Sequence, residues 1–128
     1  MVDVISSADD GYRVENDFGS GTLVVDPEDD ETPSPVENLL VSYGSCFLSA
    51  VRIAGMQRGA DDLGRIEIAI DSERDDHLSA IDFEIRFEAD VDEETTESVL
   101  DRATELCHVH HALRDELKAD ISVETDAF

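Results

Sequence analysis

One stretch constrains this chain more than any other. Charged residues make up 33 % of the sequence, yet none falls between Asn38 and Val51. The polar members of that stretch are small or uncharged, among them Ser42, Gly44, Ser45 and Ser49. A helix apolar almost all round is a buried helix, not one lying on a surface. Its start is marked three times. Ser34 suits the N-cap, Pro35 suits the first helical position, and Glu37 lies three residues after Ser34, as in a capping box. Gly55 or Gly59 is placed to end it. Gly44, Ser45 and Ser49 would let another backbone approach closely. A helix without a polar face needs cover on every side, more than 128 residues easily supply. The stretch therefore predicts a homodimer with this helix near a two-fold axis.

The rest of the chain reads as strands and one more helix. All three prolines, Pro27, Pro33 and Pro35, fall in the acidic stretch Asp26 to Pro35, the one clear loop. Before it, strands are expected at Val2 to Ser7, Tyr12 to Asn16 and Thr22 to Val25, with turns at Asp9-Asp10-Gly11 and Gly19-Ser20-Gly21. After the central helix, Ile66, Ile68 and Ile70 alternate with Glu67, Ala69 and Asp71. Ile81, Phe83, Ile85 and Phe87 alternate with charged residues in the same way, which predicts two half-buried strands with a hairpin tip from Asp71 to Leu78. A second helix starts near Asp92 or Glu93 and carries Val99, Leu100, Ala103, Leu106 and Cys107. It is expected to kink or restart across Cys107 to His110, with Ala112, Leu113 and Leu117 continuing its apolar face. Ile121 and Val123 make a last short strand. The order βββ-α-ββ-α-β predicts one α+β domain over residues 1–128, with helices on one side of an antiparallel sheet.

Charge excludes some functions. The chain has 33 Asp+Glu against 9 Lys+Arg, a net charge of -24 and a pI of about 4.1. Such a surface repels phosphate backbones and anionic lipid, so no nucleic acid and no membrane are expected as partners. No run is read as approaching the ~20 apolar residues of a membrane span, and Met1 to Ile5 has no basic leader, so a cytoplasmic location is expected. The acids are dispersed rather than gathered in a tail, and the bases are eight Arg with the single Lys118. This composition resembles that of halophilic archaeal cytosolic proteins, in which concentrated salt screens self-repulsion.

Two cysteines, Cys46 and Cys107, carry the candidate chemistry. In a chain with no export signal they read as buried thiols, a metal site or a redox couple. Each sits on the apolar side of a predicted helix, so both point to the interior. His77 together with Cys107, His108, His110 and His111 raises zinc. Neighbouring helical residues diverge by about 100°, however, so no metal and no cofactor are expected. His110 and His111 are read as surface residues. His108 is read as a neighbour able to lower the pKa of Cys107.

Ser34-Pro35-Val36-Glu37-Asn38-Leu39-Leu40, followed by Tyr43-Gly44-Ser45-Cys46, resembles the first-cysteine helix of the OsmC/Ohr family of osmotically inducible and organic hydroperoxide resistance proteins. Leu106-Cys107-His108-Val109 resembles its second-cysteine motif, with His108 in place of the usual proline. The resemblance covers about Gly11 to Val123. It implies an intertwined dimer, Cys46 as the thiolate that attacks an organic hydroperoxide, and Cys107 as the resolving thiol. It also implies that Glu37 holds an activating arginine and that a dithiol, a lipoyl-bearing protein among the options, acts as reductant. Physical chemistry sets conditions on that reading. Cys46 lies about three turns into its helix, where the N-terminal dipole helps little, so a nearby cation is expected. Arg13 is the arginine that precedes Cys46, read here in a strand; Arg52 is a second candidate. Glu37 lies nine residues before Cys46, about 180° round the helix. Leu39, Phe47, Leu48 and the Ile/Phe strand would favour alkyl hydroperoxides over hydrogen peroxide. Whether the chain is an enzyme stays open. The alternative is a non-catalytic module of the same fold that binds a small apolar ligand, with both cysteines structural.

Overall fold

The computed structural model describes residues 2–128, which divide after Val41 into two compact units. In the first, β1 (Ile5–Ser7), β2 (Val14–Asp17) and β3 (Thr22–Val25) pair antiparallel in that order. The first two strands start later than expected. Gly11, at φ +67°, opens a turn that extends through Tyr12. Arg13 thus precedes β2 instead of lying within a strand. The acidic loop is held by its own side chains. The Thr32 hydroxyl donates to the Asp26 carbonyl at 2.9 Å and accepts from the Asp26 N–H at 3.1 Å.

The helix α1 runs Pro35–Gln57. The capping box forms as read: Ser34 N–H donates to the Glu37 carboxylate at 3.0 Å, and Glu37 N–H donates to the Ser34 hydroxyl at 3.2 Å. Cover on every side is not found among the described residues. Tyr43, Gly44, Phe47, Ala50, Val51, Ala54 and Gly55 make one buried face. Val41, Ile53 and Met56 lie on the opposite stripe and are exposed. The cause is supply: a small sheet and one helix can cover only one side of a rod. By length and hydropathy α1 is also apolar enough to cross a membrane, contrary to expectation. Its buried aromatic face instead makes it the core helix of this fold.

In the second unit, β4 (Ile66–Arg74) and β5 (Leu78–Phe87) pair antiparallel. They run further than expected, so the hairpin tip shrinks to residues 75–77. β6 (Asp120–Glu124) joins β5 in parallel. The antiparallel sheet expected from the sequence is therefore mixed. The connection from β5 to β6 is long and contains α2 (Glu93–Leu106), which allows a parallel return. The registers place Ile70–Phe83–Ile121 and Ile68–Ile85–Val123 in rows on the apolar face. Against that face Tyr43 and Phe47 of α1 bring their rings 4.6 and 5.4 Å from Phe83. Gly44 permits this approach, since a Cβ there would lie 2.6 Å from Ile70 Cδ1. Val99 and Ala103 of α2 complete the core.

Candidate active site

The second unit brings Cys46 and Cys107 together. α2 ends at Leu106 because Cys107 takes an extended conformation, φ -75° and ψ 110°. Cys107 then caps the next helix, α3 (His108–Ala112), with its Sγ accepting from His110 N–H at 3.4 Å. The restart read from the sequence is thus real. The apolar face, however, does not continue as helix: α3 stops at Ala112, and a 3₁₀ turn follows at Asp115–Leu117. Both cysteines are free thiols, with Cys46 half-buried and Cys107 fully buried.

Their environments are unequal. Burial pushes Cys46 up, but three donors more than offset it: the Val109 N–H, the Cys107 thiol and the His108 N–H. The net effect holds Cys46 below the ordinary thiol value. The donors are therefore two peptide groups and a thiol, not the cation the sequence suggests. A peptide N–H at the start of a turn is an unpaired donor and serves the same electrostatic purpose. Cys107 goes the other way. Burial first, then its bond and charge interaction with Cys46, push it up to about 11, although the His110 N–H works against this. His108 is not among the groups acting on Cys107, whose net shift is set first by desolvation. Thiolate character is concentrated on Cys46, with a protonated partner beside it.

His108 gives this arrangement a feature that proline would remove. It occupies the first helical position of α3, where proline is otherwise favoured. The extended Cys107 backbone is also the conformation that a following proline demands. His108→Pro is therefore expected to fold, yet to raise the Cys46 pKa through loss of the His108 N–H donor. His108→Ala, which keeps the N–H, should leave it unchanged. The pH dependence of Cys46 alkylation by a neutral haloacetamide checks both.

Two residues here take roles the sequence reading did not assign: Tyr43, and His110, which was read as a surface residue but is half-buried. Tyr43 is fully buried. Its hydroxyl lies 2.7 Å from His110 Nδ1 and accepts from the Ala119 N–H at 2.9 Å. The visible signal was a tyrosine in an otherwise apolar stretch, whose buried hydroxyl must find a partner. Desolvation, with the charges of Lys118 and His111, lowers the His110 pKa. A histidine kept neutral by the fold contributes stability above its unfolded value of 6.5, and that contribution is lost as pH falls through the folded pKa. Thermal midpoints should therefore decline below about pH 6.5, and less steeply in His110→Asn. His111 remains exposed, with Nε2 2.9 Å from the Glu105 carbonyl.

The other predicted residues fall as follows. Arg13 pairs with Glu15 at 3.3 Å, both side chains more than half exposed. Glu37 forms the capping box. Arg52 is exposed on α1. Phe47 and Phe83 are fully buried against one another, so they serve the core and not a substrate lining. Among the described residues, no group of three or more His, Cys, Asp or Glu side chains is placed to hold a metal.

The sequence model of the OsmC-like protein family matches residues 28–122, which takes in the capping box and both cysteines. An uncharacterised protein of Haloferax volcanii is 39 % identical over the full length of both chains. That relative comes from a halophilic archaeon, in keeping with the acid-rich composition. An OsmC-like protein of Mycoplasma pneumoniae has a similar fold, with a TM-score of 0.85 at 13 % identity over 96 % of this chain and 95 % of that one. The organic hydroperoxide resistance protein OhrB of Bacillus subtilis is similar at a TM-score of 0.70 and 16 % identity, over 94 % of this chain and 97 % of that one. Matched in sequence across both cysteine motifs and in fold along nearly its whole length, the chain belongs to the OsmC-like protein family.

Proposed function

We propose that the protein reduces organic hydroperoxides, with Cys46 as the attacking thiolate and Cys107 as the resolving thiol. The observation that carries this is the placement of the pair: Cys46 sits at the break at Cys107, where the Val109 and His108 N–H groups and the Cys107 thiol serve its sulfur, while Cys107 is fully buried and its Sγ caps α3 at 3.4 Å. The Cys46 thiolate attacks the distal oxygen of ROOH, the O–O bond breaks, and the alkoxide takes a proton to leave as ROH. Cys46 becomes a sulfenic acid. The Cys107 sulfur then attacks Cys46, water leaves with the Cys107 proton, and a disulfide forms. A dithiol, with a lipoyl-bearing protein as a candidate, returns both thiols and is itself oxidised to a disulfide. No cofactor enters. Family membership and the fold shared with an organic hydroperoxide resistance protein support the substrate class. Arg13 and Glu37, which the family resemblance offers as the activating arginine and its holder, pair here with Glu15 and the Ser34 cap, and the proposal rests the activation of Cys46 on the peptide donors and the Cys107 thiol instead.

A homodimer is also part of the proposal. The stripe of Val41, Ile53 and Met56 on α1 is apolar and exposed, and a second copy would cover it. A cytoplasmic location fits two free cysteines, which a reducing compartment preserves. The test is consumption of tert-butyl hydroperoxide and of hydrogen peroxide in molar KCl with a dithiol reductant. Faster turnover of the organic peroxide is expected, with a Cys46–Cys107 disulfide after one equivalent in the absence of reductant. The second reading, a non-catalytic module for an apolar ligand, draws on a groove of about 620 Å³ in the first unit. Tyr12, Val14, Phe18, Leu23 and Pro27 line it. No turnover, with Cys46 unreactive to thiol reagents in the folded protein, would favour that reading.

A further inference from the structure

We infer that Tyr43 and His110 form a positioning pair that seats Cys107 and the first turn of α3 against Cys46. The inference rests on the reading of the two cysteines as a redox pair. α3 has five residues and buries none of them fully, so apolar packing alone does not seat it. Polar tethers do that work. The Tyr43 hydroxyl accepts from the Ala119 N–H at 2.9 Å, which turns its own proton toward His110 Nδ1, 2.7 Å away. His110 is then the neutral tautomer with its proton on Nε2. The same residue donates its backbone N–H to Cys107 Sγ at 3.4 Å. Tyr43 precedes Cys46 by one helical turn on α1. The contacts therefore close a ring: Cys46 to Tyr43 along the helix, Tyr43 to His110, His110 to Cys107, and Cys107 back to Cys46. The titratable groups facing His110 are Tyr43 from α1, Cys107 and His111 from its own segment, and Lys118 beyond the 3₁₀ turn.

Neither side chain of the pair touches the reacting oxygen. Their effect is on where the resolving sulfur stands when the sulfenic acid forms. Tyr43→Phe removes the donor and leaves the ring shape. His110→Leu removes the acceptor, and His110→Asn restores an acceptor near the Nδ1 position. The experiment follows the lifetime of the Cys46 sulfenic acid after one equivalent of tert-butyl hydroperoxide, trapped by dimedone and read by mass, below the thermal midpoint of every variant. Tyr43→Phe and His110→Leu should close the disulfide about ten- to a hundredfold more slowly than the native chain, the scale of a misplaced reacting group. His110→Asn should stay within about threefold, which a role confined to stability would not produce. Native rates in Tyr43→Phe and His110→Leu would overturn the inference while leaving the peroxidase reading intact. If the native chain forms no disulfide at all, the peroxidase reading fails. The pair is then judged by the pH profile of Cys46 alkylation: an upward shift in Tyr43→Phe supports it, and an unchanged profile overturns it.

Discussion

Serine in place of Cys46 is expected to cut organic-hydroperoxide turnover on the order of 10³-fold or more, as loss of a nucleophile does in other enzymes. A serine hydroxyl is not ionised beside two peptide N–H groups, and only the ionised sulfur attacks peroxide oxygen. Serine in place of Cys107 should behave differently. It leaves the Val109 and His108 donors on Cys46, so the first attack on the hydroperoxide proceeds. The sulfenic acid then has no second thiol within the chain to meet. Excess hydroperoxide carries it on to the sulfinic state, which a dithiol does not reverse. Steady-state assay with mass analysis of Cys46 separates the two variants. One lacks oxidation at position 46; the other accumulates two added oxygens there and inactivates during turnover. Equal, full activity in both variants would remove the cysteines from the mechanism.

Dilution from molar KCl to about 0.1 M salt should lower the thermal midpoint, and one row of the sheet should account for a measurable part of the loss. On the polar face of the second sheet, Asp71 opposes Asp82, and Asp82 opposes Asp120. All three are exposed, and none has an ion-pair partner among the described residues. Two rows along the same face, the same problem is solved with opposite charge. There Arg86 stands between Glu67 and Glu124, at 3.2 and 4.0 Å. Arg86 also donates to the Ala127 carbonyl at 2.6 Å and lies 4.6 Å from the Phe128 ring centroid. Like charges directly opposite cost about 0.2–1 kcal/mol per pair. Removing two such pairs with Asp82→Asn should raise the midpoint in dilute buffer by about 2–8 °C. In molar salt the Debye length shrinks from ~10 to ~3 Å, so the gain should largely vanish. An equal gain in both salts would show that the row is not a screened repulsion.

Local features were readable in the chain. The capping box at Ser34 and Glu37, the helix start near Asp92 or Glu93 and the break at Cys107 each depend on residues within about four positions of one another. The alternation of Ile81, Phe83, Ile85 and Phe87 gave a buried strand face for the same reason: a side chain's direction repeats with the local period. The pairing of Cys46 with Cys107 came from family resemblance, since no local rule relates positions so far apart.

What the sequence by itself determined was which segments are helix or strand and which face of each is apolar, because caps and periodicity are short-range. Tertiary structure alone decided the parallel placement of β6, the restriction of α1 burial to one face and the donors around Cys46. It also decided the bond between Tyr43 and His110, which are 67 positions apart. A polar group in a folded core takes the partner that packing brings within hydrogen-bond reach. Which partner that is depends on how distant elements meet, and the spacing of residues along the chain does not encode it.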